Sequence, residues 1–292
     1  MPELPDITVY VERLAAKAAG HILQRVRIGN PFLLRTAVPP LASVEGRRVE
    51  GVERVGKRVV FALEGELFVV IHLMIAGRLR WLAAGKATAR NALAFFEFDS
   101  GTLVLTEAGS KRRASLHVVQ GREALAALDA GGIDVLAASR EEFAARLVLE
   151  NHTLKRALTD PRLFGGIGNA YSDEILHRAR LSPMALTRSL AAAAVERLFD
   201  ATRVTLREWI ARLDCEAGDW PEKVTAFHPQ MAVHGRFGQP CPECGAPVQR
   251  IVHAENETNY CARCQTGGKV LADRALSRLL KASWPRNIDE LT

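Results

Sequence analysis

Apolar and polar positions change their rhythm at about residue 130 of this chain. Before that point, short apolar runs recur: Ile22–Ile28, Val49–Val55, Val59–Leu63, Leu67–Leu73, Leu79–Leu82, Ala92–Phe98 and Leu103–Thr106. Glu64-Gly65-Glu66 and Asp99-Ser100-Gly101 are turn signals between them. Strands of this length and spacing predict an antiparallel β-sandwich or barrel. One helix is expected ahead of them, capped by Asp6 and running to about Ala19. Ile7, Val11, Leu14, Ala15 and Ala18 then share a face, and Gly20 is placed to end it. Such a helix pins the N-terminus to the first domain.

Beyond Ala130-Gly131-Gly132 the apolar spacing becomes three and four, as in Phe143, Leu147, Leu154 and Leu158, and residues 133–230 read as helical. A helix from Asn151 to Leu158 is stopped by Thr159-Asp160-Pro161. The Gly165-Gly166-Ile167-Gly168 turn follows, and a second helix opens at Asn169 or Ala170 and runs to Ala179. Helix, glycine-rich turn, helix is a shape that presents backbone N–H groups to a phosphate, although a plain packing turn has the same pattern. Ala191–Leu213 is a further long helix, and Gly218–Gln230 carries the turn residues of a mobile connection. The expected divisions are 1–130, 131–231, 232–266 and 267–292. The last holds an extra amphipathic helix with Leu271, Leu276, Leu279 and Leu280 against Arg274, Arg278 and Lys281.

At 292 residues two domains are the default. A hydrophobic fraction of 48% with 25% charged residues describes a core-forming chain. No apolar run approaches the ~20 residues of a membrane span, and no signal peptide is expected, so a cytoplasmic location follows. The net charge of +6 suits a polyanionic partner without demanding one.

Four of the five cysteines form two tight pairs: Cys241-Pro242-Glu243-Cys244, sixteen residues, then Cys261-Ala262-Arg263-Cys264; Cys215 stands alone. This spacing is that of a tetrahedral four-thiolate zinc site, with iron or a pair of disulfides as the alternatives. Phe237, Val248, Ile251, Val252 and Tyr260 are too few to fold the segment by burial. Metal binding contributes on the order of 10–16 kcal/mol to such modules. Four thiolates leave no open position, so the metal is structural, and the two halves form a β-hairpin.

The N-terminus carries a different chemistry. Removal of Met1 would leave the secondary amine of Pro2 beside Glu3. An α-amine titrates near pH ~8, so part of it is nucleophilic at neutral pH. Attack on a sugar aldehyde would give an iminium, and Glu3 could move the protons. Most chains beginning Met-Pro have an inert terminus, and the remaining residues decide. Lys57 lies in Val55-Gly56-Lys57-Arg58-Val59, and Lys111-Arg112-Arg113 is a short basic run; each is ordinarily a solvated feature. His72 and Met74 lie in an apolar strand, where core packing is the first reading.

Together these residues resemble the formamidopyrimidine-DNA glycosylase and endonuclease VIII family of base-excision repair enzymes. The matching stretches are Pro2-Glu3-Leu4-Pro5, Gly56-Lys57, His72-Leu73, Gly166-Ile167-Gly168-Asn169-Ala170-Tyr171-Ser172-Asp173-Glu174, and the four-cysteine finger with Gln265. The resemblance implies an α+β multidomain fold: an N-terminal antiparallel β-sandwich with its helix, a helix-two-turn-helix domain and a zinc-finger hairpin. It implies damaged DNA as partner, one structural Zn2+, a monomer, and a nucleoid-associated location. Pro2 then matches the nucleophile toward C1′, Glu3 the acid/base on the sugar, and Lys57 a phosphate contact that aids proton transfer. Asn169 matches the asparagine that holds a phosphate, and Lys155 a basic position on the preceding helix.

The departures are specific. Asn256, between Glu255 and Glu257, stands where the family's finger carries an arginine, so β-elimination is expected to outweigh δ-elimination. The family's Asp-Pro-Arg-Arg-Phe wedge strand is replaced by Glu107-Ala108-Gly109-Ser110-Lys111-Arg112-Arg113, which leaves Arg112 and Arg113 as candidate contacts. Met74 and Ile75 occupy the other wedge region, shifted by one. Two other readings compete: a damaged-DNA sensor of the same fold, motivated by Asn256 and the missing wedge strand, and an N-terminal-proline tautomerase, which leaves the finger unexplained.

Overall fold

This computed structural model describes residues 1–83, 91–108, 111–253, 256–271 and 285–291. The chain forms two compact units. One is Met1–Ala130 with Trp209–Thr225, the other Gly131–Glu208 with Ala226–Thr292.

In the first unit, helix α1 spans Leu4–Ala18. It begins three residues before the expected start, because Glu3 rather than Asp6 is the N-cap and Pro5 sits in the first turn, where a missing N–H costs nothing. Asp6 is therefore inside the helix and accepts the Glu3 backbone N–H at 2.8 Å. Gly20 at φ +81° follows the helix end, as expected.

Eight antiparallel strands follow: β1 Ile22–Ile28, β2 Arg47–Val55, β3 Arg58–Leu63, β4 Leu67–His72, β5 Gly77–Leu82, β6 Ala92–Phe98, β7 Gly101–Glu107 and β8 Ser115–Gln120. Their order is β5-β7-β6-β1-β2-β3-β4-β8. β1 touches β2 only at Ile22↔Arg48 and Leu23↔Arg47, so the sheet turns a corner there and its halves stack as a sandwich. Val59, Phe61, Val69 and Ile71 from one layer meet Leu79, Phe96, Phe98 and Leu105 from the other, and Ile7, Tyr10 and Leu14 of α1 join the same core. The intervening residues Val60, Ala62, Phe68 and Val70 face a second cluster with Val119 and Leu125. Leu125 belongs to helix α2, Arg122–Ala126. β3 and β4 are thus buried on both faces, which explains their nearly continuous apolar runs.

The segment Trp209–Thr225 belongs to this unit rather than forming the mobile connection expected after Gly218. Trp220 is buried, its ring 5.7 Å from Tyr10 and 6.2 Å from Trp81. Its indole N–H donates to Leu79 O at 3.2 Å, and Arg78 Nε donates to Val224 O at 2.7 Å.

The second unit is helical, with a hairpin. Helix α3 spans Arg140–Leu147, capped by Ser139 with Glu142 in a reciprocal box. Helix α4, Leu154–Thr159, starts three residues later than expected because the Thr153 side chain caps it. Helix α5, Asn169–Arg178, opens at the expected position. Between them, Gly132 packs against the turn so closely that a Cβ there would lie 2.4 Å from Pro161 O. Helix α6 spans Ala192–Ala217, with its last turns from Trp209 in the first unit.

Strands β9, Gln249–His253, and β10, Asn256–Tyr260, form the finger hairpin, and helix α7, Ala262–Thr266, follows. Val233, Val248, Tyr260, Val270 and Ile288 fill its small core. The expected amphipathic helix after Leu271 falls largely outside the described residues. The chain end returns, however, and Ile288 N–H donates to Gly268 O at 2.8 Å.

Candidate functional site

Three connections share one end of the sandwich. β3 starts at Arg58 beside the end of β4 at His72, and His72 pairs with Ser115 at the start of β8. The Gly56-Lys57 hairpin turn, the turn 73–76 and residues 111–114 that lead into β8 therefore lie together. Val55 pairs with Arg58, leaving a two-residue loop with Gly56 at φ +57°. That geometry holds Lys57 at the strand end.

The N-terminal amine lies in the same neighbourhood. It is the amine of Met1, one residue ahead of Pro2. Burial lowers its pKa, Glu3 opposes that shift, and Arg78 and Lys57 add to it. Burial likewise lowers the pKa of Lys57, again opposed by Glu3. Glu3 is itself buried, at 1% exposure. Asp6 is pushed up to about 7, chiefly by burial, partly offset by the hydrogen bond from the Glu3 backbone. The Met1 amine, the Glu3 carboxyl and the Lys57 ammonium thus form one desolvated group, with Asp6 and Arg78 added, and Pro2 is the residue that joins that amine to Glu3. In such surroundings proton transfers need little charge reorganisation.

The wedge candidates sit on the neighbouring turns. Met74 is half-buried with φ +53°, and Ile75 is the exposed apolar tip at 52%. Gly77 N–H donates to Leu73 O at 2.9 Å, and a Cβ on Gly77 would lie 2.3 Å from that oxygen, so only glycine closes this turn. Arg112 and Arg113 are exposed. Their loop is tied down by the buried Glu107, whose carboxylate accepts the N–H groups of Arg113 at 3.0 Å and Ala114 at 3.1 Å. β8 itself was not anticipated; the pattern Ser115-Leu116-His117-Val118 alternates over too few residues and follows a basic run.

In the second unit, Lys155 is held inside the protein. Its ammonium donates to Asp173 Oδ1 at 2.5 Å and to the Asn169 carbonyl at 2.7 Å. Asp173, wholly buried, also pairs with His234 Nδ1 at 2.8 Å. Asn169 Nδ2 donates to the Glu257 carbonyl of β10 at 2.9 Å, so α5 and the hairpin are stitched together. Glu174 accepts the N–H groups of Ala232, Val233 and His234 at 2.7, 2.9 and 3.0 Å. Periodicity cannot reveal Asp173, Glu174 and His234 as one polar network, since their partners lie some sixty residues apart in sequence. Asn256 is exposed at the start of β10, while Glu257 is occupied by Arg250 at 3.2 Å.

Cys241, Cys244, Cys261 and Cys264 place their sulfurs within 4.8 Å of one another. Cys244 and Cys261 are 3.4 Å apart and Cys241 and Cys264 3.9 Å. Both distances are far beyond a disulfide bond and close to the ~3.8 Å edge of a tetrahedron with Zn–S bonds of ~2.3 Å. The donor set fits a structural zinc. His177 Nε2 lies 3.3 Å from Cys241 Sγ, and Gln265 accepts the Cys261 N–H while donating to Leu181 O. These contacts fix the ligand loops from outside.

Residues 1–167 match the formamidopyrimidine-DNA glycosylase N-terminal domain, 134–216 its H2TH domain, and 238–267 the zinc finger found in FPG and IleRS. A formamidopyrimidine-DNA glycosylase of Thermus thermophilus is 34% identical over 279 residues, covering 92% of this chain and all of that protein. The crystal structure of the MutM (Fpg) protein from that organism superposes with a TM-score of 0.77 at 33% identity, over 90% of this chain and 98% of the other. The Lactococcus lactis protein solved with an abasic-site DNA shares the fold, with a TM-score of 0.81 at 22% identity, over 90% of this chain and 99% of that one. Matched in order along nearly its whole length, the chain belongs to the formamidopyrimidine-DNA glycosylase family.

Proposed function

We propose that this protein is a bifunctional DNA glycosylase and AP lyase that removes oxidised bases and cuts the strand at the abasic site left behind. The observation that carries this reading is the desolvated group of terminal amine, Glu3 and Lys57 at one end of the sandwich.

After Met1 is removed, the Pro2 nitrogen attacks C1′. The glycosidic bond breaks, and its electron pair leaves with the base, which takes up the proton that the Pro2 nitrogen gives up after attack. Glu3 delivers a proton to O4′ as the C1′–O4′ bond opens, leaving an iminium between Pro2 and C1′. Loss of a C2′ proton sends electrons through the C3′–O3′ bond and expels the 3′ phosphate. Water then hydrolyses the iminium and restores the amine. Lys57, its pKa lowered by burial, releases a proton more readily than a solvated lysine and contacts a phosphate. The target nucleotide must leave the stack, at a few kcal/mol, least for a damaged base. Asn169, Arg112, Arg113 and Asn256 offset that cost through the backbone, Met74 enters the vacated space beside Ile75, and Lys155 holds Asn169 in place. The zinc folds the finger. The protein acts as a monomer in the cytoplasm, at the nucleoid.

Asn256 carries no charge, and Glu257 beside it is a carboxylate, so β-elimination dominates over δ-elimination. A panel of duplexes carrying oxidised purines, oxidised pyrimidines, uracil or an abasic site tests the whole reading. Nicking at oxidised bases and abasic sites with 3′ unsaturated-aldehyde ends is expected. Tight binding to abasic DNA without scission would replace the enzyme with a damage sensor.

A further inference from the structure

One stripe of helix α5 is given over to the finger. Asn169, Asp173 and His177 follow at intervals of four, which sets them on one face of the helix. Asn169 holds the Glu257 carbonyl of β10, Asp173 holds the His234 ring, and His177 ends the row against Cys241. One turn further on, the Leu181 carbonyl accepts from Gln265 Nε2 at 2.9 Å. Of the three side chains in the stripe, His177 is the one that meets a metal ligand. Its Nε2 lies 3.3 Å from Cys241 Sγ, within hydrogen-bond reach of a sulfur, and both residues are buried.

The chemistry of the sulfur decides which partner donates. A zinc-bound cysteine is a thiolate with no proton to give, so its sulfur only accepts. The ring must then carry a proton on Nε2. Four thiolates outweigh the two charges of a zinc ion, so the centre they form is anionic. Donors aimed at the sulfurs spread that charge, and they count for more where water is excluded. Within the finger the backbone supplies one, from Cys264 N–H to Cys261 Sγ at 3.5 Å. At Cys241 the donor is a side chain of α5, outside the knuckle.

We propose that His177 is a fifth residue of the zinc centre: it binds no metal, but its Nε2–H donates to the Cys241 thiolate and so slows the loss of zinc from the finger. It is a positioning residue, acting through Cys241. The contact also ties the metal to the helix whose first residue is Asn169. It concerns how the metal is held and stands apart from the reaction proposed above. A histidine in the middle of a helix gives no such signal in the sequence, since its partner lies 64 residues away.

Full-length wild type is compared with His177→Phe, which fills the space without a donor, and His177→Gln, whose amide N–H takes the place of Nε2–H. Each is loaded with zinc and challenged with a chelating dye that reports free metal. His177→Phe should release zinc roughly tenfold faster than wild type, and His177→Gln within about twofold of it. With Co2+ in place of zinc, the sulfur-to-metal charge-transfer band of His177→Phe should move to longer wavelength, because a sulfur without its donor gives up an electron more easily. The ligand-field bands should keep their tetrahedral pattern, and the charge-transfer band of His177→Gln should stay near that of wild type. Melting curves establish that the variants are folded. Wild-type release with an unmoved band in folded His177→Phe overturns the proposal. Faster release with an unmoved band overturns it as well, since packing alone then accounts for the effect. Should His177→Phe fail to fold, the wild-type protein decides. With zinc bound and nitrogen-labelled histidine, NMR should find the His177 proton on Nε2, and a proton on Nδ1 alone overturns the proposal.

Discussion

Asp6 illustrates how the fold sets the charge of a single side chain. Its pKa rises from 3.8 to about 7, mainly through burial. Because the folded value exceeds the unfolded one, the protonated form is favoured on folding. The stability this contributes is fully present below the unfolded pKa and lost as pH climbs through about 7. Asp6→Asn keeps an acceptor for the Glu3 N–H and cannot ionise. Its thermal stability relative to wild type should be near zero at pH 4 and grow to a ceiling of roughly 4 kcal/mol above pH 7. A difference that does not change with pH would contradict the buried-carboxyl reading. Lys155 carries the opposite lesson. Although it stands at a basic position of the family's helix, its ammonium is spent on Asp173 and the Asn169 carbonyl. Lys155→Ala would leave Asp173 buried with His234 alone, and should cost roughly 3 kcal/mol in urea unfolding. Unchanged stability with a shallower salt dependence of DNA binding would instead make Lys155 a direct phosphate ligand.

At the scale of elements, the finger is held by its metal and by a few outside hooks. Phe237 is 48% and Val252 40% exposed, and the finger's own core is small, so burial supplies little. Chelating the zinc should abolish hydrogen-exchange protection in β9 and β10 while β3 and β4 stay protected; a finger still protected after metal loss would contradict this. The finger was legible in the sequence because metal ligands come in short local pairs whose spacing is itself the signal. The Gly56-Lys57 turn and the opening of α5 at Asn169 were legible for a similar reason, since turn chemistry and glycines are local. What escaped depends on distant partners. Trp220 looks like part of a polar connection until Tyr10 and Trp81 are seen packing on it. Glu174 looks like an exposed helix charge until the three N–H groups of residues 232–234 meet it. β8 lacked a long enough alternation to stand out from the basic run before it.

For the whole molecule, the proposed function comes down to one amine and one sugar. Everything assigned to Glu3, Lys57 and the phosphate contacts presupposes that the amine of Pro2 is free and bonds to C1′. Borohydride trapping on abasic DNA, followed by digestion and mass spectrometry of the adduct, tests this directly. The reduced deoxyribose should be found on Pro2 of chains that have lost Met1, and acetylating the terminus should abolish the adduct. An adduct mapped to Lys57 or another side chain, or active protein that still carries Met1, would contradict it.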